Sequence, residues 1–314
     1  MGSEMCIRDR YTILFSLLFT FTSVFLNTLF SGGIALFLIL SLGIIHGAND
    51  IKLLQKKNAS SPQNNFFRYL SIYIGVVLLG VFVFYHIPHY GLLAFVLVSS
   101  YHFGEQHLES SFTDRDKTTW IKHFLYFFYG ATIFGLLFYL QSDSVIPIIK
   151  SISGITLPLA SFRFFLLIAF FSWAILMLFI KSVRVHFFLE LIVLAFFGSV
   201  FLSLDLLEAF ALYFVFWHSI PSIKDQMHFL YGTSHLSFFK TYIYDSLVYW
   251  LLALFGLGFV YFFIPGDLKI FLPLFFSFLA AITFPHAVVM ALLQLGKRSQ
   301  EGSNFNVNAS LENK

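Results

Sequence analysis

Long apolar stretches recur along almost the whole 314-residue chain and constrain its fold more than any other feature. An α-helix needs about 20 mainly apolar residues to cross a bilayer. By that measure the sequence predicts about ten spans, with a range of about 8–10. Their approximate limits are 12–29, 33–51, 67–86, 89–107, 120–140, 161–181, 185–203, 206–222, 246–264 and 269–294. A removed signal sequence is the alternative for the first stretch.

The composition excludes a water-soluble globular domain. Only 11% of the residues are charged, whereas 58% are apolar and 45 are Phe. In a soluble domain about a quarter of the residues are charged, so much of the apolar excess here must face lipid. The net charge of +3 is too small to indicate nucleic acid as a partner. Cys6 is the only cysteine, which leaves no disulfide within the chain and no cysteine cluster for a metal.

The distribution of Lys and Arg predicts the orientation of the chain. With the N-terminus in the cytoplasm, the inner loops hold thirteen of these cations and the outer segments three. Short cytoplasmic loops are rich in Lys and Arg. The sequence therefore predicts an all-α, polytopic helical bundle in the inner (plasma) membrane with both termini cytoplasmic. We divide it into a non-native or disordered head at 1–10, one transmembrane domain at 11–296, and a disordered polar tail at 297–314.

Four histidines fall on predicted spans that run in the same direction. His46, His102, His218 and His286 lie on the second, fourth, eighth and tenth spans, near cytoplasmic ends that share one depth. Ionisable residues within a membrane usually mark functional sites, and neutral imidazole binds divalent iron, copper or zinc. The pattern predicts a metal site built from these four side chains. His107 is a weaker candidate, because five residues place it about 140° around the helix from His102.

Residues near the candidate ligands predict further parts of the site. Carboxylates that accept from the second nitrogen of a ligating imidazole are expected, and Asp50 and Glu105 follow His46 and His102 by four and three residues. Gly47 directly follows His46, and Gly104 lies two residues after His102. Four aromatic residues lie next to a candidate ligand or about one helical turn before it: Tyr101, Tyr213, Phe214 and Trp217. They predict either an aromatic belt at the membrane interface or an apolar tunnel for a long polyene.

Four segments carry a resemblance to a known family: HGANDIKLL, YHFGEQH, FALYFVFWHS and FPHAVV, in this order. Over about residues 40–295 the chain resembles the Brp/Blh family of membrane-embedded β-carotene 15,15′-dioxygenases. The resemblance implies an iron-dependent enzyme that cleaves the central double bond of β-carotene with O2 into two molecules of retinal. It implies Fe(2+) held by His46, His102, His218 and His286, with no catalytic residue beyond these ligands. It also implies a functional link to a microbial rhodopsin.

The chain departs from the family pattern at one position. Many members have a second histidine four residues after the WHS histidine, whereas this chain has Ser222 there. If that histidine is a ligand in those members, His286 or His107 must take its place here. The alternative function is a polytopic transporter with a proton or metal-ion pathway of His, Asp and Glu side chains, although the sequence has no internal symmetry.

Overall fold

The computed structural model describes residues 2–25, 28–59, 65–112, 120–263 and 268–312. This part of the chain is almost entirely helical and contains no strand. Its α-helices are α1 (Gly2–Phe25), α2 (Thr28–Leu38), α3 (Asp50–Lys57), α4 (Phe66–His86), α5 (Pro88–Leu108), α6 (Ile121–Leu140), α7 (Ser142–Ser153), α8 (Leu159–Phe179), α9 (Lys181–Arg184), α10 (Phe187–Ser203), α11 (Leu206–Ala211), α12 (Ile220–Tyr231), α13 (Phe239–Phe263) and α14 (Leu268–Glu312). π-Helical turns at Ile39–Gly43 and Leu212–Ser219 follow α2 and α11.

The predicted helical membrane fold is confirmed in its class. Among the described residues, six helical segments are long and apolar enough to cross a membrane: Phe66–His86, Ile121–Leu140, Leu159–Phe179, Leu206–Tyr231, Leu236–Phe262 and Phe271–Leu293. Three shorter apolar helical segments are Thr12–Phe25, Phe30–Gly43 and Phe187–Ser203. The count of about ten spans and the cytoplasmic position of both termini stay predictions. The helix α7 was not among the predicted segments.

Burial separates a central helix from two peripheral ones. The segment Leu206–Tyr231 consists of α11, the second π-helical turn and α12. In its most apolar 18-residue stretch, 83% of the residues are buried. The corresponding share is 6% in α4 and 11% in Leu236–Phe262. The central segment therefore packs against protein on nearly all sides, whereas α4 and α13 present most of their apolar side chains outward. It also extends well beyond residue 222, where the eighth span was predicted to end.

Two glycines allow an unusually close contact between α5 and α6. A Cβ atom at Gly104 would lie 1.8 Å from the carbonyl oxygen of Tyr126, and one at Gly130 would lie 1.9 Å from that of Ser100. No other residue type fits at this separation, because any side chain would overlap the neighbouring backbone. This contact fixes the position of α5, which carries His102.

The ends of the described chain are helical. The helix α1 begins at Gly2 and α14 continues to Glu312, so helical backbone takes in most of the predicted head and tail. The side chains of 1–11 and 294–314 lie outside the described residues. The division of the chain into head, membrane domain and tail stays a prediction.

Candidate metal centre

Local distortions of the helices position two of the four predicted histidines. His218 lies within the π-helical turn Leu212–Ser219, and His46 lies in a turn between the π-helical Ile39–Gly43 and α3. A π-helical turn inserts an extra residue and is found frequently at functional sites. His102 and His286 lie on the regular helices α5 and α14.

The four imidazole rings meet in one buried cluster. Ring centroids lie 4.6 Å apart for His46 and His286, and 5.1 Å for His46 and His218. His102 lies 4.8 Å from His218 and 5.2 Å from His286 by the same measure. One possible ligand atom from each of His46, His218 and His286 lies within 4.8 Å of the others. No ring is more than 5% exposed. We call these four residues the histidine cluster.

Unpaired nitrogens show that the cluster fits a metal ion. Nε2 of His102, Nδ1 of His218 and Nε2 of His286 are buried and have no hydrogen-bond partner among the described residues. A buried polar atom without a partner costs about 1–3 kcal/mol. Coordination of a divalent transition metal would use these lone pairs, and an all-imidazole set suits iron, copper, nickel or zinc. The residues present therefore can bind such a metal.

Hydrogen bonds to the other ring nitrogens orient two of the imidazoles. His286 donates from Nδ1 to Asp50 Oδ1 at 2.8 Å, and His46 donates from Nδ1 to the carbonyl oxygen of Gly43. Both bonds leave Nε2 as the nitrogen available to a metal. The Tyr73 hydroxyl donates to Asp50 Oδ2 at 3.3 Å, so the carboxylate is itself held in place.

Asp50 lies beside the cluster as predicted, although its partner differs from the expected one. The sequence suggested a shared helix face with His46, which required the helix to continue from His46 to Asp50. The chain instead forms a turn at residues 46–49, and α3 begins at Asp50. The carboxylate consequently bonds His286, and Gly47 lies in the same contact, since a Cβ there would be 3.5 Å from the His286 ring.

Glu105 does not accept from His102. Its Oε1 instead accepts from the Tyr101 hydroxyl at 3.1 Å, and Tyr101 also contacts Nδ1 of His123 at 2.7 Å. Glu105 is buried, but these contacts join α5 to α6. The prediction that it supports His102 is therefore wrong in its geometry.

His107 belongs to a different group of side chains. Its Nε2 contacts Glu190 Oε2 at 3.1 Å and the Tyr129 hydroxyl at 2.9 Å, and its ring stacks on Tyr129 with centroids 4.6 Å apart. The Tyr129 hydroxyl also donates to Glu190 Oε2 at 3.0 Å. We call these three residues the His107 group. His102 and His107 thus have different partners, as expected for two residues about 140° apart around a helix.

Two glutamines that the sequence reasoning missed bond to the backbone of the cluster. Gln106 Nε2 donates to the carbonyl of His218 at 3.0 Å, and Gln226 Nε2 donates to that of His46 at 2.7 Å. The Tyr242 hydroxyl donates to Gln226 Oε1 at 2.7 Å. Their only signal in the sequence is the presence of polar amides beside apolar spans.

Ser222 takes part in the same network. Gln226 Nε2 lies 3.0 Å from Ser222 Oγ, and both side chains are buried. At the position where many relatives have histidine, this chain therefore has a hydroxyl. It accepts from Gln226, which also donates to the His46 carbonyl. Of the two proposed replacements, His286 lies in the cluster and His107 has other partners.

A family model described as β-carotene 15,15′-dioxygenase matches residues 37–294. The chain belongs to this family. It is accordingly an enzyme of the β-carotene dioxygenase class, and the family implies β-carotene as substrate. No curated protein and no solved structure was found to match it.

An apolar cavity of about 330 Å³ leads to the histidine cluster. His46, His218 and His286 line its inner end. Its outer end is lined by Leu78 of α4 and Leu252 of α13, each 61% exposed. The cavity, which we call the main cavity, therefore opens between two peripheral helices on the surface that faces lipid.

Of the four predicted tunnel residues, only Phe214 is among those that line the main cavity. Tyr101 bonds towards α6, as described above. Tyr213 packs between Phe103 and Phe197, and Trp217 donates from Nε1 to Ser16 Oγ at 2.9 Å. The structure thus brings one of these four residues to the main cavity and places the other three elsewhere, and a tunnel for a polyene stays a prediction.

Proposed function

We propose that this protein cleaves the central 15,15′ double bond of β-carotene with O2 and releases two molecules of retinal. The observation that carries the proposal is the position of the histidine cluster, with its unpaired nitrogens, at the inner end of an apolar cavity that opens towards lipid. β-Carotene has no polar group, so it must reach the reacting centre from the bilayer through apolar walls. Membership of the family supplies the reaction class.

The proposed cofactor is Fe(2+), held by His46, His102, His218 and His286. When bound, Fe(2+) would supply the activation of O2 beside the polyene. In the overall reaction the carbon–carbon double bond breaks and each of its two carbons receives one oxygen atom, which balances one O2 against two aldehydes. No proton enters or leaves, so the chain needs no general acid or base.

The chain's own residues then have three tasks. The apolar side chains of the main cavity bind the polyene and exclude water from the cluster. Asp50 and the Gly43 carbonyl keep His286 and His46 in the tautomer that presents Nε2. Gln106 and Gln226 hold the backbone of His218 and His46 where their helices are distorted.

Two finer statements belong to the same proposal. The protein lies in the inner membrane as a multi-pass protein with both termini in the cytoplasm, and its retinal serves a microbial rhodopsin. Cysteine substituted at Lys57 tests the orientation: a membrane-impermeant thiol reagent should label it only from the cytoplasmic side. Labelling from outside would overturn the topology.

The transporter alternative has less support from the polar residues. A pathway would use Asp50 and Glu190 with Asp205 or Glu208. Asp50 bonds His286, Glu190 is bonded within the His107 group, and Asp205 and Glu208 cap the start of α11. These carboxylates therefore already have local structural partners.

Expression in a bacterium that accumulates β-carotene tests the proposal. Cells that make the protein should lose the orange pigment and form retinal, whereas cells that make His102→Ala should keep the pigment. Pigment that persists although the wild-type protein is folded and abundant would refute the assigned reaction.

A further inference from the structure

A symmetric substrate raises a question that the main cavity does not answer. β-Carotene has two identical halves, each ending in an apolar ring, and the proposed reaction divides it at the midpoint. When the central bond lies beside the histidine cluster, one half extends outward along the main cavity. The other half must extend past the cluster into a second apolar space.

A second apolar cavity lies beyond two phenylalanines that contact the cluster. It has a volume of about 70 Å³ and lies between α5, α6, α7 and α11, and all of the side chains that line it are apolar. They include Val96 of α5, Phe134 of α6 and Ile149 of α7. We call it the distal cavity.

Four phenylalanines separate the distal cavity from the main cavity. Phe103 and Phe214 line the main cavity, and Phe134 and Phe210 line the distal one. They form two stacked pairs, with centroids 5.5 Å apart for Phe103 and Phe134 and 5.1 Å apart for Phe214 and Phe210. Each pair therefore has one ring in each cavity, and we call the four rings the partition.

The partition stands directly at the histidine cluster. The centroid of Phe103 lies 4.4 Å from that of His218, and the centroid of Phe214 lies 5.5 Å from that of His46. Phe103 and Phe214 therefore contact both the cluster and the rings that line the distal cavity. Phe214 also packs on Gly43, where a Cβ would lie 2.8 Å from its Cε1, so its present position depends on the absence of a side chain there.

We propose that the distal cavity is the binding subsite for the second half of a symmetric, ring-ended carotenoid, and that Phe103 and Phe214 are the gate to it. This inference rests on the proposed function. The distal cavity has about a fifth of the volume of the main one, so occupancy requires the gate rings to turn aside and merge the two spaces. Both halves then lie in apolar surroundings with the central bond at the cluster, which makes the depth of the distal cavity the determinant of central cleavage.

The test fills the distal cavity without touching the cluster. Ile149→Phe and Val96→Phe each add bulk to its wall, and Ile168→Phe makes the same change as the first on the exposed face of α8 as a control. Two substrates are compared: β-carotene, and an apocarotenal that keeps one ring and the central double bond but lacks the second ring. Binding to metal-free protein is measured by quenching of tryptophan fluorescence, and turnover is measured separately with iron.

The filled variants should bind β-carotene at least about tenfold more weakly, because added bulk in a packed interior forces rearrangement. Their affinity for the truncated apocarotenal should stay within about twofold of wild type. Ile168→Phe should leave both affinities unchanged. Phe214→Ala, which removes one gate ring, should strengthen the binding of β-carotene and keep retinal as the product, because the depth of the distal cavity still sets the position of the polyene.

Equal affinity of the filled variants and wild type for β-carotene would overturn the subsite, as would an equal loss for both substrates. Two independent fillings protect the test against the failure of one variant to fold, which size-exclusion chromatography detects. The two proposals fail differently. Wild-type protein that binds β-carotene without forming retinal contradicts the reaction, whereas retinal formation with no discrimination by the filled variants contradicts only the distal subsite.

Discussion

The helix α5 carries one buried and one partly buried histidine, and their environments are opposite. His102 is 3% exposed, and its Nε2 has no hydrogen-bond partner among the described residues. His107 lies five residues later, and its Nε2 contacts both Glu190 and Tyr129. A histidine whose ring nitrogen is already satisfied by protein is structural, whereas several that converge with unused lone pairs require another atom between them. The contrast teaches that unused ring nitrogens, rather than a position inside the bundle, identify a metal ligand.

The largest expected difference separates these two residues directly. His102→Ala should lower iron affinity and retinal formation by more than about 100-fold, beyond the loss expected for a supporting residue. His107→Ala should retain iron but unfold more easily, by about 1–3 kcal/mol, because the buried Glu190 loses one of its two partners. Metal analysis and thermal unfolding of both variants measure the two effects. Loss of iron from His107→Ala together with its retention in His102→Ala would reverse the assignment.

A smaller effect is expected at the carboxylate that orients His286. Asp50→Asn should weaken iron binding about 10- to 100-fold without abolishing it, because the neutral amide is a poorer acceptor for Nδ1–H. Asp245→Asn is the matched control, since Asp245 pairs with the partly exposed Lys52 and with Tyr231. Titration of the metal-free proteins with Fe(2+) under anaerobic conditions gives the affinities. An unchanged titration for Asp50→Asn would remove its role at the centre.

The smallest effect is expected at the glutamine that bonds the backbone of His46. Gln226→Leu removes the hydrogen bond to the His46 carbonyl together with those to Ser222 and Tyr242. The bond to His46 contributes about 1 kcal/mol, so iron affinity should fall by about fivefold. Gln141→Leu is the matched control, because Gln141 bonds the carbonyls of Phe201 and Leu204 rather than those of the cluster. Equal titrations for the two variants would show that the amide does not position His46.

The sequence was sufficient to place the four cluster histidines but not their supports. Helices rise by a regular 1.5 Å per residue, so the depth of a residue can be read from its distance to flanking cations. The partner of Asp50 depends on a turn at residues 46–49 and on a residue far along the chain, and neither can be inferred from local spacing. A contact between residues so far apart in the sequence depends on how the helices pack against each other.

Three of the four predicted tunnel residues lie away from the main cavity for a related reason. Each residue advances a helix by about 100°, so the extra residue of a π-helical turn rotates later side chains relative to a regular helix. Within Leu212–Ser219, Phe214 and His218 line the main cavity, whereas Tyr213 and Trp217 pack against protein. The local composition does not indicate that distortion.

X-ray absorption at the iron edge of purified wild-type protein tests the central claim most directly. The account predicts about one iron per chain, with the multiple-scattering pattern of several imidazole rings and no sulfur neighbour. The same measurement on His107→Ala should give an unchanged spectrum. Protein that binds no iron after anaerobic loading, or iron without imidazole scattering, would contradict the assignment of the histidine cluster as the metal centre.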